Sequence, residues 1–278
     1  MADLQSLNSV LADDSIELEQ SGSILKIWLN RPDSRNAMSL NMVKSIMNVF
    51  NAIADDSSIR GVVFRGRGNH FCAGGDIKDM AAIRAEAASL GSNKPYIDFN
   101  RQFGAMIELV DQAPQTVVVV LEGAVLGGGF GLACISDVAI AHQDAQFGLP
   151  ETGLGILPAQ IAPFVVKRVG LTQARRLALL GARFNGNKAL QFGVIHEVAE
   201  NENELEQLIE TTLEQVKRAA PLASRATKAL LHRASSNESL SNLLDDAAVQ
   251  FADAVNSAEG MEGTMAFIQK RKPSWADE

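Results

Sequence analysis

His70-Phe71-Cys72-Ala73-Gly74-Gly75-Asp76 and Leu126-Gly127-Gly128-Gly129-Phe130-Gly131 are two glycine-rich turns, and Phe147-Gly148-Leu149-Pro150-Glu151-Thr152 follows them with a carboxylate. Each turn comes after a strand-like run and before a helix-like run. At such a junction the first N–H groups of the helix have no intrahelical partner, and the helix dipole adds positive potential. Two junctions facing each other hold one oxyanion between two N–H donors, and a side chain at either would keep a carbonyl oxygen away from the amide. A carboxylate nearby then moves a proton. The set points to chemistry on a carbonyl compound, a thioester in particular.

Each motif also has a plainer reading. Glycine clusters allow tight packing as well as ligand approach. Glu151 is either an exposed turn carboxylate or a carboxylate in the apolar stretch from Phe147 to Leu157, where burial would raise its pKa and fit it for proton exchange. The second turn has Leu132 where a dinucleotide-binding fingerprint needs glycine, and no Gly-Lys-Ser/Thr phosphate loop is present. His70, His142, His196 and His232 lack metal-ligand spacing with other His, Cys or carboxylate residues; His70 reads as a loop residue. No serine occupies a nucleophile elbow. Lys270-Arg271-Lys272 is either a solvated face or a phosphate contact.

Outward from the turns, strands and helices alternate, which argues for an α/β layered fold. Strands are expected at Ser23–Leu29, Gly61–Arg65, Val117–Leu121 and Asp137–Ala141. Ser39 is placed to cap a helix over about Leu40–Ala54, and Asp76 to cap one starting at Ile77. Ala81–Lys94 is alanine-rich and weakly patterned, and a mobile stretch is expected there. Helices are expected over Tyr96–Gln112, to about Ile135, over Thr172–Gly181 and over Asn187–Phe192. The first dozen residues read as a loose lead-in. From about Glu202 onward the chain reads as helical throughout, which divides it into a core at 1–200 and a helical region at 201–278.

The 278 residues are 46% hydrophobic and 21% charged, with a net charge of −8, so nothing in the balance favours nucleic acid or an anionic membrane as partner. Cys72 and Cys134 make no disulfide framework and read as buried free thiols of a reducing compartment. Neither a signal peptide nor a bilayer-spanning run is recognised, so a cytoplasmic protein is expected.

The chain resembles the crotonase, or enoyl-CoA hydratase/isomerase, superfamily. The residues that carry the resemblance are Leu29-Asn30-Arg31-Pro32 with Asn36-Ala37-Met38, His70 to Met80, Glu122 to Gly129, Ser136 to Ala141, Ala145 to Pro158, and Ala266 to Pro273. It implies a spiral of ββα units with a C-terminal helical trimerisation region, assembled as a homotrimer or homohexamer. It also implies an acyl-CoA thioester substrate, CoA being part of that substrate, and no separate cofactor or metal. By the same resemblance Gly75 and Gly128 supply the oxyanion N–H groups and Glu151 handles the proton. The backbone around Ala37, and Ala73, Gly75, Asp76, Ile77 and Lys78, would lie along CoA. Phe267 and Lys270 would reach CoA on a neighbouring subunit.

One position departs from the pattern. Hydratases of this superfamily carry two catalytic glutamates, and the first falls three residues after Gly128, where this chain has Gly131. Members with only the second glutamate include Δ3-Δ2-enoyl-CoA isomerases and some specialised hydratases. The run Leu126–Val138 with Pro150–Val166 most resembles hydratases that act on isohexenylglutaconyl-CoA in acyclic terpene degradation. The expectation is therefore hydration of a branched 2-enoyl-CoA, with a single-glutamate isomerase and a non-catalytic acyl-CoA-binding subunit as alternatives. A distal carboxylate on the acyl group would want an Arg, Lys or amide partner. Arg84, Lys94 and Arg101, in or near the expected mobile stretch, are unranked candidates, while Met80, Phe99 and Phe103 suit either core or pocket.

Overall fold

The structure, a computed structural model, describes residues 3–277. A short helix α1 (Leu4–Ser9) precedes the hairpin β1 (Ile16–Ser21) and β2 (Ile24–Leu29). Next come α2 (Leu40–Ile53), β3 (Gly61–Gly66), α3 (Ile77–Leu90), α4 (Lys94–Asp111) and β4 (Thr116–Leu121). The chain continues through β5 (Ala124–Leu126), α5 (Gly128–Ile135), β6 (Val138–His142), β7 (Gln146–Gly148) and α6 (Ala162–Leu180). It then forms α7 (Gly186–Gln191), β8 (Glu197–Ala199) and the helices α8 (Glu202–Arg218), α9 (Pro221–Ala234), α10 (Leu240–Asn256) and α11 (Ala258–Ile268).

The main sheet has the order β1-β2-β3-β4-β6-β8, and β5 and β7 pair separately. Only the β1–β2 pairing is antiparallel; the other neighbours are parallel. β4–β5–α5 and β6–β7–α6 are successive ββα turns, and a parallel bridge from Cys72 to Val125 gives the β3 turn a contact with β5. This is the α/β architecture expected from the alternating pattern.

The sheet is buried on both faces, which explains why β4 is an unbroken β-branched run. Val117, Val119 and Leu121 join the large core under α2 and α4, with Met42, Ile46 and Ile107. Val118 and Val120 point the other way, onto Leu205, Ile209 and Val216 of α8. The change in composition near residue 200 thus coincides with a helix that still covers the sheet. The helices with mostly exposed apolar residues begin at Pro221.

Three stretches differ from the expectation. The lead-in contains α1, capped by Asp3, whose carboxylate accepts from Ser6 N–H at 2.7 Å. Residues 81–90 continue α3, which ends at Gly91 in the left-handed region (φ 57°) with Ala87 as its only buried member. Alanine supports helix without needing an apolar stripe, so a weak pattern did not mean an absent element. The helix expected from Thr172 starts ten residues earlier, with Pro163 in its first turn and a break at Gly170 (φ 74°).

Candidate active site

The two glycine turns lie against each other because the segments before them pair. Cys72 N–H donates to the Ala124 carbonyl at 2.8 Å, and Leu126 N–H donates to the Cys72 carbonyl at 2.9 Å. Past that bridge each chain turns through a glycine in a conformation closed to other residues: Gly74 has φ 105°, and Gly127 has φ 50° with ψ −113°. Among the described residues, neither the Gly75 nor the Gly128 N–H donates a hydrogen bond within the protein. Both residues line one cavity of about 430 Å³.

Glu151 lines the same cavity, brought there by the small sheet. Leu126 pairs with Gly148, and Gly127 N–H donates to the Gly148 carbonyl at 3.1 Å. Three residues later Glu151 opens a 3-10 turn. Thr152 Oγ1 anchors that turn to the Ala178 carbonyl of α6 at 2.9 Å. The carboxylate lies over Gly127, where a Cβ would stand 2.9 Å from Glu151 Oε1. Oε2 is buried and has no hydrogen-bond partner. Burial raises the Glu151 pKa above its ordinary value, opposed only by a hydrogen bond from its own N–H. The structure falls between the two readings: Glu151 is half-buried, with Oε2 shut off from solvent at the cavity.

Gly131 faces apolar side chains. A Cβ there would stand 2.4 Å from Ile161 Cγ2 and 3.7 Å from Ile107 Cδ1. Ile161 therefore occupies the room an acid at this position would need. Among the described lining residues, Glu151 is the single carboxylate, and there is no Lys, Arg or His.

The segment at Ala37 runs beside the first glycine turn. Met38 N–H donates to the Gly74 carbonyl at 2.7 Å, Asp76 N–H to the Met38 carbonyl at 3.1 Å, and Ala73 N–H to the Arg35 carbonyl at 3.0 Å. Asn36 is fully buried with φ 56° and ties this segment down. Its Oδ1 accepts from Arg31 N–H at 2.7 Å, and its Nδ2 donates to the Arg67 and His70 carbonyls at 2.9 and 2.6 Å. Asp76 pairs with Arg31 at 2.6 Å and caps α3 through Lys78 N–H at 2.7 Å. Burial pushes its pKa up, but these two partners outweigh it and hold the group below the usual carboxylate range. His70 is a loop residue, its Nδ1 accepting from Ala124 N–H at 3.1 Å.

Ile77 and Lys78 are exposed at the start of α3. Phe267 is 85% exposed at the end of α11, and Lys270 follows in the left-handed region (φ 53°). Ala37, Ala73, Asp76 and these four residues do not line the cavity that holds Gly75, Gly128 and Glu151.

The enoyl-CoA hydratase/isomerase family profile matches residues 19–278. The chain belongs to that family. The solved structure of Pseudomonas aeruginosa AtuE superposes with a TM-score of 0.91 at 60% identity, covering 94% of this chain and 99% of that one. Carnitinyl-CoA dehydratase of Proteus mirabilis is 32% identical over 94% of this chain and 98% of its own length. 2,3-Dehydroadipyl-CoA hydratase of Escherichia coli is 31% identical over 91% of this chain and 94% of its own. The protein is thus an enzyme of enoyl-CoA hydratase/isomerase type, with the α/β crotonase fold and a helical C-terminal region.

Met80, Phe99 and Phe103, left open between core and pocket, all line the cavity. Tyr96, Asn100, Gln160 and Ile161 line it too and were not singled out from the sequence. The available signal was helical spacing: Tyr96, Asn100 and Phe103 share one face of α4. Of the three cations considered for a distal carboxylate, Lys94 pairs with Asp98 and Arg101 with Glu108. Arg84 is exposed, and none of the three is a lining residue.

Proposed function

We propose that the protein hydrates a branched 2-enoyl-CoA, isohexenylglutaconyl-CoA fitting best. The observation that carries this is the meeting of two unpartnered N–H groups, at Gly75 and Gly128, with the buried and unpartnered Oε2 of Glu151 at one cavity. The thioester oxygen accepts from both N–H groups. Each donor is worth roughly 3–4 kcal/mol as negative charge builds on that oxygen in the enolate. Glu151 accepts a proton from water as its oxygen adds at Cβ, then returns a proton to Cα. Its raised pKa suits both directions of transfer.

Support for the branched substrate comes from the resemblance over Leu126–Val138 and Pro150–Val166, and from a cavity whose walls are largely apolar. The name of the Escherichia coli relative specifies the CoA thioester of a dicarboxylic acid. Purified protein given isohexenylglutaconyl-CoA in oxygen-18 water should yield the labelled 3-hydroxy thioester. Turnover of 3-enoyl-CoA without label would replace hydration by double-bond isomerisation. That second reading has an observation in its favour, since Glu151 is the single lining carboxylate and one base is enough to move a proton between carbons.

The CoA contacts belong to the same proposal: Ala37 and Ala73 to Lys78 along the cofactor portion of the substrate, with Phe267 and Lys270 from a neighbouring copy. Phe251, Leu240 and Phe267 are 72%, 68% and 85% exposed on α10 and α11, which suits helices that pack in a homotrimer or homohexamer. Light scattering on the purified chain tests the assembly. No described helix is long and apolar enough to cross a membrane.

A further inference from the structure

Apart from Ser39 and Glu151, the described polar side chains lining the cavity are Tyr96, Asn100 and Gln160. Tyr96 and Asn100 are one turn apart on α4, and Gln160 meets Asn100 from the segment before α6. Gln160 Nε2 donates to Asn100 Oδ1 at 2.8 Å. The other end of that amide is turned away, with Gln160 Oε1 only 1.9 Å from where a Cβ on Gly104 would stand. Asn100 Oδ1 is therefore taken up by Gln160, and Gln160 Oε1 lies against α4 at Gly104. What remains is the Asn100 Nδ2 amide and the Tyr96 hydroxyl, neither with a protein partner among the described residues. The two offer a free amide N–H and a hydroxyl that can also donate, and a carboxylate, which only accepts, complements both.

We infer that Asn100, held by Gln160 and assisted by Tyr96, is the specificity-determining contact for a carboxylate on the acyl group. The substrate class is a CoA thioester whose acyl part has one hydrocarbon arm and one carboxylate arm. The inference rests on the thioester carbonyl lying between Gly75 and Gly128. Met38, Val43, Met80, Phe103, Leu157 and Ile161 provide the wall for the hydrocarbon arm. Neutral donors suit this position, because an unpaired Arg or Lys in an apolar pocket costs more to desolvate than an amide does.

A matched pair of thioesters tests this: 3-methylglutaconyl-CoA, and 3-methylpent-2-enoyl-CoA with a methyl group where the first has its carboxylate. Binding by calorimetry and turnover are measured for the full chain and for Asn100→Asp. The variant keeps the side-chain shape and still accepts from Gln160, but sets a negative charge against the carboxylate. Its affinity for 3-methylglutaconyl-CoA should fall, and its KM rise, by about 10- to 100-fold, with kcat little changed. The neutral thioester should change less than about threefold, and the penalty should shrink as pH falls toward the carboxylate range. Equal losses on both thioesters would show a merely structural role and overturn the inference, as would equal wild-type affinity for the two. Glu151→Gln separates the two readings. If it leaves turnover intact, the catalytic reading fails, while the calorimetric comparison still decides the carboxylate contact.

Discussion

The floor of the cavity is backbone. Cys72, Ala124, Leu126, Gly127 and Gly148 exchange main-chain hydrogen bonds of 2.8–3.1 Å, and the two donors at Gly75 and Gly128 are carried on that lattice. The wall opposite is made of side chains from α4 and from residues 156–161, with Ile97 64% and Leu157 76% exposed. Floor and wall thus differ in what a substitution can change. The floor fails only when a glycine gains a side chain or a buried anchor is lost. The wall changes its shape and polarity one side chain at a time. On the proposed reading, reaction type belongs to the floor with Glu151, and acyl selectivity to the wall.

The largest effect should come from the group that stands over the floor. Glu151→Gln should lower kcat by roughly 10²- to 10⁴-fold while CoA-thioester binding persists, checked by steady-state kinetics beside calorimetry. Retained turnover would break the contrast, because the chemistry would then not depend on Glu151.

Asn36→Ala attacks the floor from beneath. It strips the three hydrogen bonds of a buried side chain and leaves the Arg67 and His70 carbonyls without that partner, so denaturant unfolding should show a loss of about 3 kcal/mol or more. Gly131→Glu restores the acid absent from this site but collides with Ile161. Thermal melts should show destabilisation of about 1–3 kcal/mol, and the Ile161→Ala background should relieve much of it. An unperturbed single variant would mean that Ile161 does not close that position.

The pH dependence sharpens the role of Glu151. Burial raises its pKa, so the acid limb of the kcat/KM profile should lie above the ordinary glutamate value of about 4.3 and vanish in Glu151→Gln. The stability sign is opposite to that of a paired carboxylate. A folded-state pKa above the unfolded value means the native state holds its proton more tightly, so stability falls as pH rises through that window. Glu151→Gln should therefore be the more stable protein at neutral pH, by about 0.5–2 kcal/mol, with the gap closing below the unfolded pKa. The smallest effect is expected at Lys94→Ala, which removes an exposed pair with Asp98. Its stability change should stay within about 1 kcal/mol and its kinetics near wild type. A large KM increase would return acyl recognition to a cation.

Much of the floor was legible in the chain itself. Unbroken β-branched runs mark strands buried on both faces, and glycines at strand-to-helix junctions mark where backbone N–H groups stay open. The order of the two turns and Glu151 sufficed for the family. The three-residue strands β5, β7 and β8 escaped notice, since three residues carry no periodicity. The N-terminal half of α6 was hidden by Pro163 and Gly170, which locally argue against helix. The wall was hidden for a different reason. Asn100 and Gln160 are sixty residues apart and ordinary in their own surroundings, and their meaning comes from a single hydrogen bond.

By itself the sequence determined the α/β layering and the two glycine turns, because each is a local property of residue type and spacing; that an acid is missing at Gly131 followed only from the family resemblance. Tertiary structure alone decided that Glu151 lies half-buried over Gly127, with Oε2 out of solvent, and that Ile161 fills the space beside Gly131. It also decided that Asn100 and Gln160 meet at a cavity whose described lining residues include no cation. Burial and desolvation depend on which distant segments converge, and no local pattern encodes that convergence.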